Sequence, residues 1–166
     1  MIPTRREQHA AGRFCLRSVI NKAEINCVDI SESYPLTIQT KTGIKPISIS
    51  HCDSIAVAVL GLNCNSIGVD IESNERIIST AILNQFCSTK EIEELMNSSP
   101  VERLEIWMIK EAVSKAIGDG MSIAKEIEIV GDNAYYDTSI FRVIRHEYKG
   151  HNIVIVIDYS DSSMDN

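Results

Sequence analysis

Hydrophobic and polar positions follow different periods in different parts of the chain. Residues 9–21 repeat at helical spacing, so that Ala11, Phe14, Cys15 and Val19 can share one face while Arg13 and Arg17 lie four apart on another. Strand-like runs follow at Leu36–Thr40 and Ile47–Ser50, with Gly43 and Pro46 as breaks. Ile55–Leu60 is almost continuously apolar and Ser66–Glu72 reads as another strand, with Asn63-Cys64-Asn65 placed like a hairpin connection between them.

The middle of the chain carries helix signals. Ser88-Thr89-Lys90-Glu91 has capping-box form and opens an amphipathic stretch with Ile92, Leu95 and Met96 on one side. Ser99-Pro100-Val101-Glu102 repeats that form, with proline where the first helical residue belongs. A helix from about 100 to 117 follows, with Leu104, Met108, Ala112 and Ala116 at four-residue intervals and Gly118 placed to end it. Strand-like runs come after it near Glu126–Val130, Ile140–Arg145 and Ile153–Tyr159, then a polar tail at Ser160–Asn166. Helices and strands are interspersed without βαβ alternation, which favours α+β over a doubly wound sheet.

At 166 residues, 44% hydrophobic and 23% charged, the chain has the composition of a folded domain rather than a disordered one. No apolar run reaches the roughly 18 residues of a membrane span, and the N-terminus lacks the apolar core of a secretory signal. A cytoplasmic protein without membrane attachment is expected. The five cysteines (Cys15, Cys27, Cys52, Cys64, Cys87) form no CxxC pair, and no Cys/His spacing offers a zinc site, so reduced thiols are expected. A net charge of −7 argues against nucleic acid. Residues 1–45 hold seven Lys/Arg against four acids, and the rest holds nine against nineteen. That asymmetry suits a polyanionic ligand bridged by a metal, and equally a solvated acidic surface.

Three constellations carry candidate chemistry. In Gly68-Val69-Asp70-Ile71-Glu72 a strand puts Asp70 and Glu72 on one face and Val69 and Ile71 on the other. Two adjacent carboxylates repel unless a cation lies between them, and hard oxygens without His or Cys suit Mg²⁺ or Mn²⁺; the same pair also fits a strand running into solvent. In Trp107-Met108-Ile109-Lys110-Glu111-Ala112-Val113-Ser114-Lys115, helical spacing groups Trp107, Glu111, Ser114, Lys115 and Gly118, with Lys110 at the edge. Glu111 can complete a three-acid site and Lys115 can hold phosphate charge, though Glu111–Lys115 is also an ordinary (i, i+4) pair. Ser50-His51 at a strand end can bind an anionic oxygen or be structural.

In combination, Ser48–His51, Ile67–Glu72, Phe86–Glu91, Trp107–Lys115 and Gly118–Ser122, with a weaker match at Ala11-Gly12-Arg13, resemble the 4′-phosphopantetheinyl transferase superfamily. The resemblance runs from about residue 10 to 131 and is to the two-lobed, surfactin-synthetase-activating type; the small holo-acyl-carrier-protein synthase branch is less similar. It implies two similar α+β lobes related by a pseudo-twofold axis, with the active site between them. The lobes would be a shortened first lobe at 1–62 and a second at 63–159 with the metal motifs, followed by the tail at 160–166.

The implied activity is Mg²⁺-dependent transfer of 4′-phosphopantetheine from coenzyme A to a serine of an apo acyl, peptidyl or aryl carrier protein, releasing 3′,5′-ADP. The alternative is a degenerate relative that binds coenzyme A or a carrier without catalysis. By resemblance, Asp70, Glu72 and Glu111 hold the metal, and Ser50, His51, Lys110 and Lys115 bind coenzyme A phosphates. Arg13 and Lys45 are candidates for its 3′-phosphate, and Glu111 and Lys115 for base and acid. A monomer is expected, and fatty-acid carriers and those of secondary-metabolite pathways (polyketide, nonribosomal peptide, siderophore) all stay open.

Overall fold

A computed structural model describes residues 5–159; the expected polar tail lies outside the described residues. The architecture is α+β, with two antiparallel sheets and a long helix on each. In the first sheet, β1 (Cys27–Ile30), β2 (Thr37–Thr40), β3 (Gly43–Cys52) and β4 (Ile55–Leu60) pair in chain order. Helix α1 (Arg5–Lys22) covers it, packing Leu16 and Ile20 against Ile38 and Ile47. Its buried face is Gly12, Leu16 and Ile20 rather than the face expected from the sequence, and Phe14 is 74% exposed.

Pro46 does not break β3. The strand changes partners there: Gly43–Pro46 pairs with β2 and Ile47–Cys52 with β4. At that changeover the Pro46 carbonyl still accepts from Gly61 N–H at 2.8 Å.

The second sheet has the order β5 (Ser66–Ser73), β9 (His151–Asp158), β8 (Ser139–Tyr148), β7 (Asn133–Tyr136), β6 (Glu128–Val130). The expected β4–β5 hairpin does not form, because β5 pairs along its whole length with β9 and belongs to the other sheet. Before the long helix come α2 (Thr80–Phe86) and α3 (Thr89–Leu95); the capping box of Ser88 with Glu91 is present, while Met96 caps α3 and is exposed. Helix α4 (Pro100–Ile117) has the Ser99–Glu102 capping box, proline in its first turn and a left-handed Gly118 at its end. Leu104, Met108, Ala112 and Ala116 are buried on it, and a 3₁₀ helix (Gly120–Glu126) follows. The main core lies between α4 and the second sheet, including Phe141, Val143, Val154 and Val156.

The two sheets meet through β5. Val69 and Ile71 pack with Ile153 against Val57 and Val59 of β4. The polar alternation of β3, Ser48-x-Ser50-x-Cys52, runs alongside β5 and bonds to it in step. Ser48 Oγ accepts from Val69 N–H at 3.1 Å, Ser50 Oγ donates to Asp70 Oδ1 at 2.9 Å, and Cys52 Sγ donates to Glu72 Oε2 at 3.6 Å. These side chains occupy the edge of β5 that no strand covers.

Candidate active site

Gly68 sets the distance between β5 and α4. A Cβ on Gly68 would stand 1.8 Å from the Ala112 carbonyl oxygen, so strand and helix touch backbone to backbone there. Two residues on, Asp70 reaches the next helical turn, where Lys115 Nζ donates to Asp70 Oδ1 at 2.8 Å and to Ser50 Oγ at 3.0 Å. Glu111 Oε1 lies 3.5 Å from the same Nζ. Carboxylates and a lysine far apart in sequence thus form one cluster at the junction of the sheets.

The cluster opens on a cavity of about 480 Å³ lined by Arg13 of α1, Ser50 and His51 of β3, Asp70 and Glu72 of β5, and Glu111 and Lys115 of α4. Tyr34, Glu32 and His9 also line it on the side of the first sheet. A smaller cavity of about 190 Å³ shares Tyr34, Glu111 and Lys115 and continues over Ser114, Gly118, Gly120 and Met121.

Asp70 is almost fully buried, and its carboxyl is pushed up to about 6. Burial is the main cause; the Lys115 charge opposes it, and Glu111 and Glu72 add like-charge repulsion. Asp70 Oδ2 is buried without a hydrogen-bond partner. Glu72 pairs with Arg76, whose guanidinium lies 5.3 Å from the centroid of Trp107. Trp107 in turn meets Phe86 edge-on at 4.9 Å. Arg76 sits in the loop after β5 and has no motif signal of its own.

The donor set fits a hard divalent cation. It is made of carboxylate oxygens, and one of them is buried with nothing to bond. In the present arrangement Lys115 and Arg76 supply the countercharge to Asp70 and Glu72.

Two expected residues lie elsewhere. Lys110 does not reach the cavity: its side chain is fully buried on the core side of α4, donating to the carbonyls of Ala124 (2.7 Å) and Ile127 (2.9 Å) and pairing with Glu91 at 2.7 Å. One residue is a 100° step on a helix, which turns Lys110 into the core and Glu111 into the cavity. Lys45 donates to the Leu62 carbonyl at 2.7 Å, tying β3 to the loop after β4, and is absent from the cavity wall. Trp107 supports Arg76 from behind and does not line the cavity.

No curated protein matches the chain. Residues 66–153, which hold β5, α4 and most of the second sheet, match the family model described as the 4′-phosphopantetheinyl transferase superfamily. That match covers more than half of the sequence and contains Asp70, Glu72, Glu111 and Lys115, and the chain belongs to the 4′-phosphopantetheinyl transferase superfamily.

Proposed function

We propose that the protein transfers 4′-phosphopantetheine from coenzyme A to a serine of an apo acyl, peptidyl or aryl carrier protein, releasing 3′,5′-ADP. The observation that carries this reading is the cavity in which Arg13, Ser50, His51 and Lys115 face Asp70, Glu72 and Glu111. Cationic and hydroxyl groups there suit phosphates, and the acids suit a hard divalent cation. We read residues 1–62 and 63–159 as two lobes of the two-lobed type, with coenzyme A between them; a long helix on each sheet supports this pseudo-twofold reading.

Asp70, Glu72 and Glu111 would hold Mg²⁺, or Mn²⁺ in its place. When bound, the ion neutralises pyrophosphate charge that builds up during transfer. Arg13, Ser50 and His51 would hold phosphate oxygens of coenzyme A, and the smaller, less charged cavity would receive the neutral pantetheine arm. The serine oxygen of the carrier attacks the β-phosphorus, and the bond from that phosphorus to the oxygen of 3′,5′-ADP breaks. Glu111 takes the serine proton, directly or through a water. Lys115 moves from Asp70 to the departing phosphate oxygen and offsets its charge. Lys110 and Lys45 have no part in these steps.

The test incubates the protein with coenzyme A, Mg²⁺ and a panel of apo carriers. Intact-mass spectrometry should show one phosphopantetheine added to a carrier serine, and Asp70→Ala should remove that product while remaining folded. Coenzyme A binding without any mass gain across the panel would instead mark a non-catalytic binder.

A further inference from the structure

Three donors that the transfer chemistry does not use meet at the far end of the β3–β5 seam. Cys52 ends β3, Asp53 begins the two-residue turn into β4 with φ of 50°, and His151 begins β9 after the Lys149-Gly150 turn. His151 is distant from the other two in sequence, so no Cys/His spacing announces the group. Strand pairing assembles it: β9 sets His151 opposite Ser73, and the bond of Cys52 to Glu72 holds the end of β3 beside the same stretch of β5.

One ligand atom from each of Cys52, Asp53 and His151 lies within 4.8 Å of the other two. His151 Nε2 is 3.8 Å from Asp53 Oδ2, beyond hydrogen-bond reach. His151 Nδ1 lies 3.0 Å from the Lys149 carbonyl, which can only accept, so the ring proton sits on Nδ1 and the lone pair on Nε2. That Nε2 is buried and has no hydrogen-bond partner. A histidine that donates from one nitrogen to a backbone carbonyl and keeps the other free is oriented as metal-binding histidines are.

We propose that Cys52, Asp53 and His151 form a site for a borderline transition-metal dication of the zinc class, distinct from the carboxylate site at Asp70, Glu72 and Glu111. The donor chemistry separates the two. A sulfur, an imidazole nitrogen and one carboxylate select Zn²⁺ or Co²⁺ over Mg²⁺, and an all-carboxylate set does the reverse. Tetrahedral coordination at bond lengths of about 2.0–2.3 Å puts ligand atoms roughly 3.3–3.8 Å apart, so the group has only to contract slightly. Cys52 binds as thiolate: the metal displaces to solvent a proton that burial and the Glu72 charge hold on the sulfur, the hydrogen bond to Glu72 ends, and the exposed side of Asp53 leaves a fourth position for water. Because Asp53 belongs to the β3–β4 turn and His151 to β9, the ion ties the first sheet to the second. The site supplies no group to phosphopantetheine transfer and borders the carboxylate site through the Cys52–Glu72 contact.

The experiment titrates tag-free protein with Co²⁺ in excess Mg²⁺ and follows the near-ultraviolet charge-transfer absorption of a cobalt–thiolate bond. The expected result is a band that saturates at about one equivalent and is displaced by Zn²⁺. It should be lost in Cys52→Ser, retained in Cys64→Ser, and shifted to at least tenfold higher Co²⁺ in His151→Ala, with circular dichroism confirming each fold. Absence of the band, or its persistence in Cys52→Ser, overturns the site. Loss in Cys52→Ser with unchanged affinity in His151→Ala overturns the three-residue assignment, because another donor would then complete the coordination.

Discussion

Gly68 and Ala112 are in backbone contact: the space for a Gly68 side chain is filled by the Ala112 carbonyl oxygen, 1.8 Å from where its Cβ would be. This contact fixes the separation of β5 and α4, and with it the reach from Asp70 to Lys115. Gly68→Ala must therefore push strand and helix apart, because a carbonyl within a helix cannot rotate away. Gly12→Ala is a useful contrast, since its Cβ would meet a side-chain methyl, Ile49 Cγ2 at 2.7 Å, rather than backbone. Gly68→Ala should destabilise the protein by about 3 kcal/mol or more, and Gly12→Ala by clearly less, in urea unfolding. Equal losses would mean that β5 and α4 are not this close.

Much of the site was legible because its residues obey short periods. Asp70 and Glu72 share a strand face two apart, and Glu111 and Lys115 a helix face four apart, whatever the tertiary structure does. Lys110 was not legible, since whether it meets solvent or core depends on the chain at Ala124–Ile127 folding back over α4. The β4–β5 hairpin failed for a related reason. Local turn residues suggested it, but the partner of β5 is β9, near the other end of the chain. Arg76 acts through Trp107 and Glu72 and carries no periodic signal. The α+β class could be read from the order of elements, whereas division into two sheets depends on long-range pairing.

The buried carboxyl of Asp70 should make the metal-free protein less stable as pH rises. Its ionisation in the fold is raised from 3.8 to about 6, so folding favours the protonated form. The contribution is fully present below pH 3.8 and is lost as pH rises through about 6, a change of about 3 kcal/mol. Asp70→Asn cannot ionise and should gain stability relative to the parent across that window. Urea unfolding with chelator at pH 4 and pH 8 measures the difference. Adding Mg²⁺ at pH 8 should then stabilise the parent and not the variant. A gap between the two proteins that does not change with pH would refute an ionised, buried Asp70.

Lys110 and Lys115 share a helix and should fail in opposite ways. Lys110 is enclosed, and its removal takes the lysine donor from the Ala124 and Ile127 carbonyls and the cation from Glu91. Lys110→Met keeps the volume and should cost about 3–5 kcal/mol, with any folded fraction still transferring normally per molecule. Lys115 keeps contact with the cavity, and its main partner Asp70 can take up a proton when the lysine is lost. Lys115→Met should therefore lose much less stability, while transfer falls by about 100-fold or more as the charge on the leaving phosphate goes uncompensated. Melting temperature and single-turnover transfer, measured on both variants, separate the roles. A Lys115→Met protein that transfers at the parental rate would remove that residue from the chemistry. A Lys110→Met protein that is stable but inactive would restore Lys110 to the site.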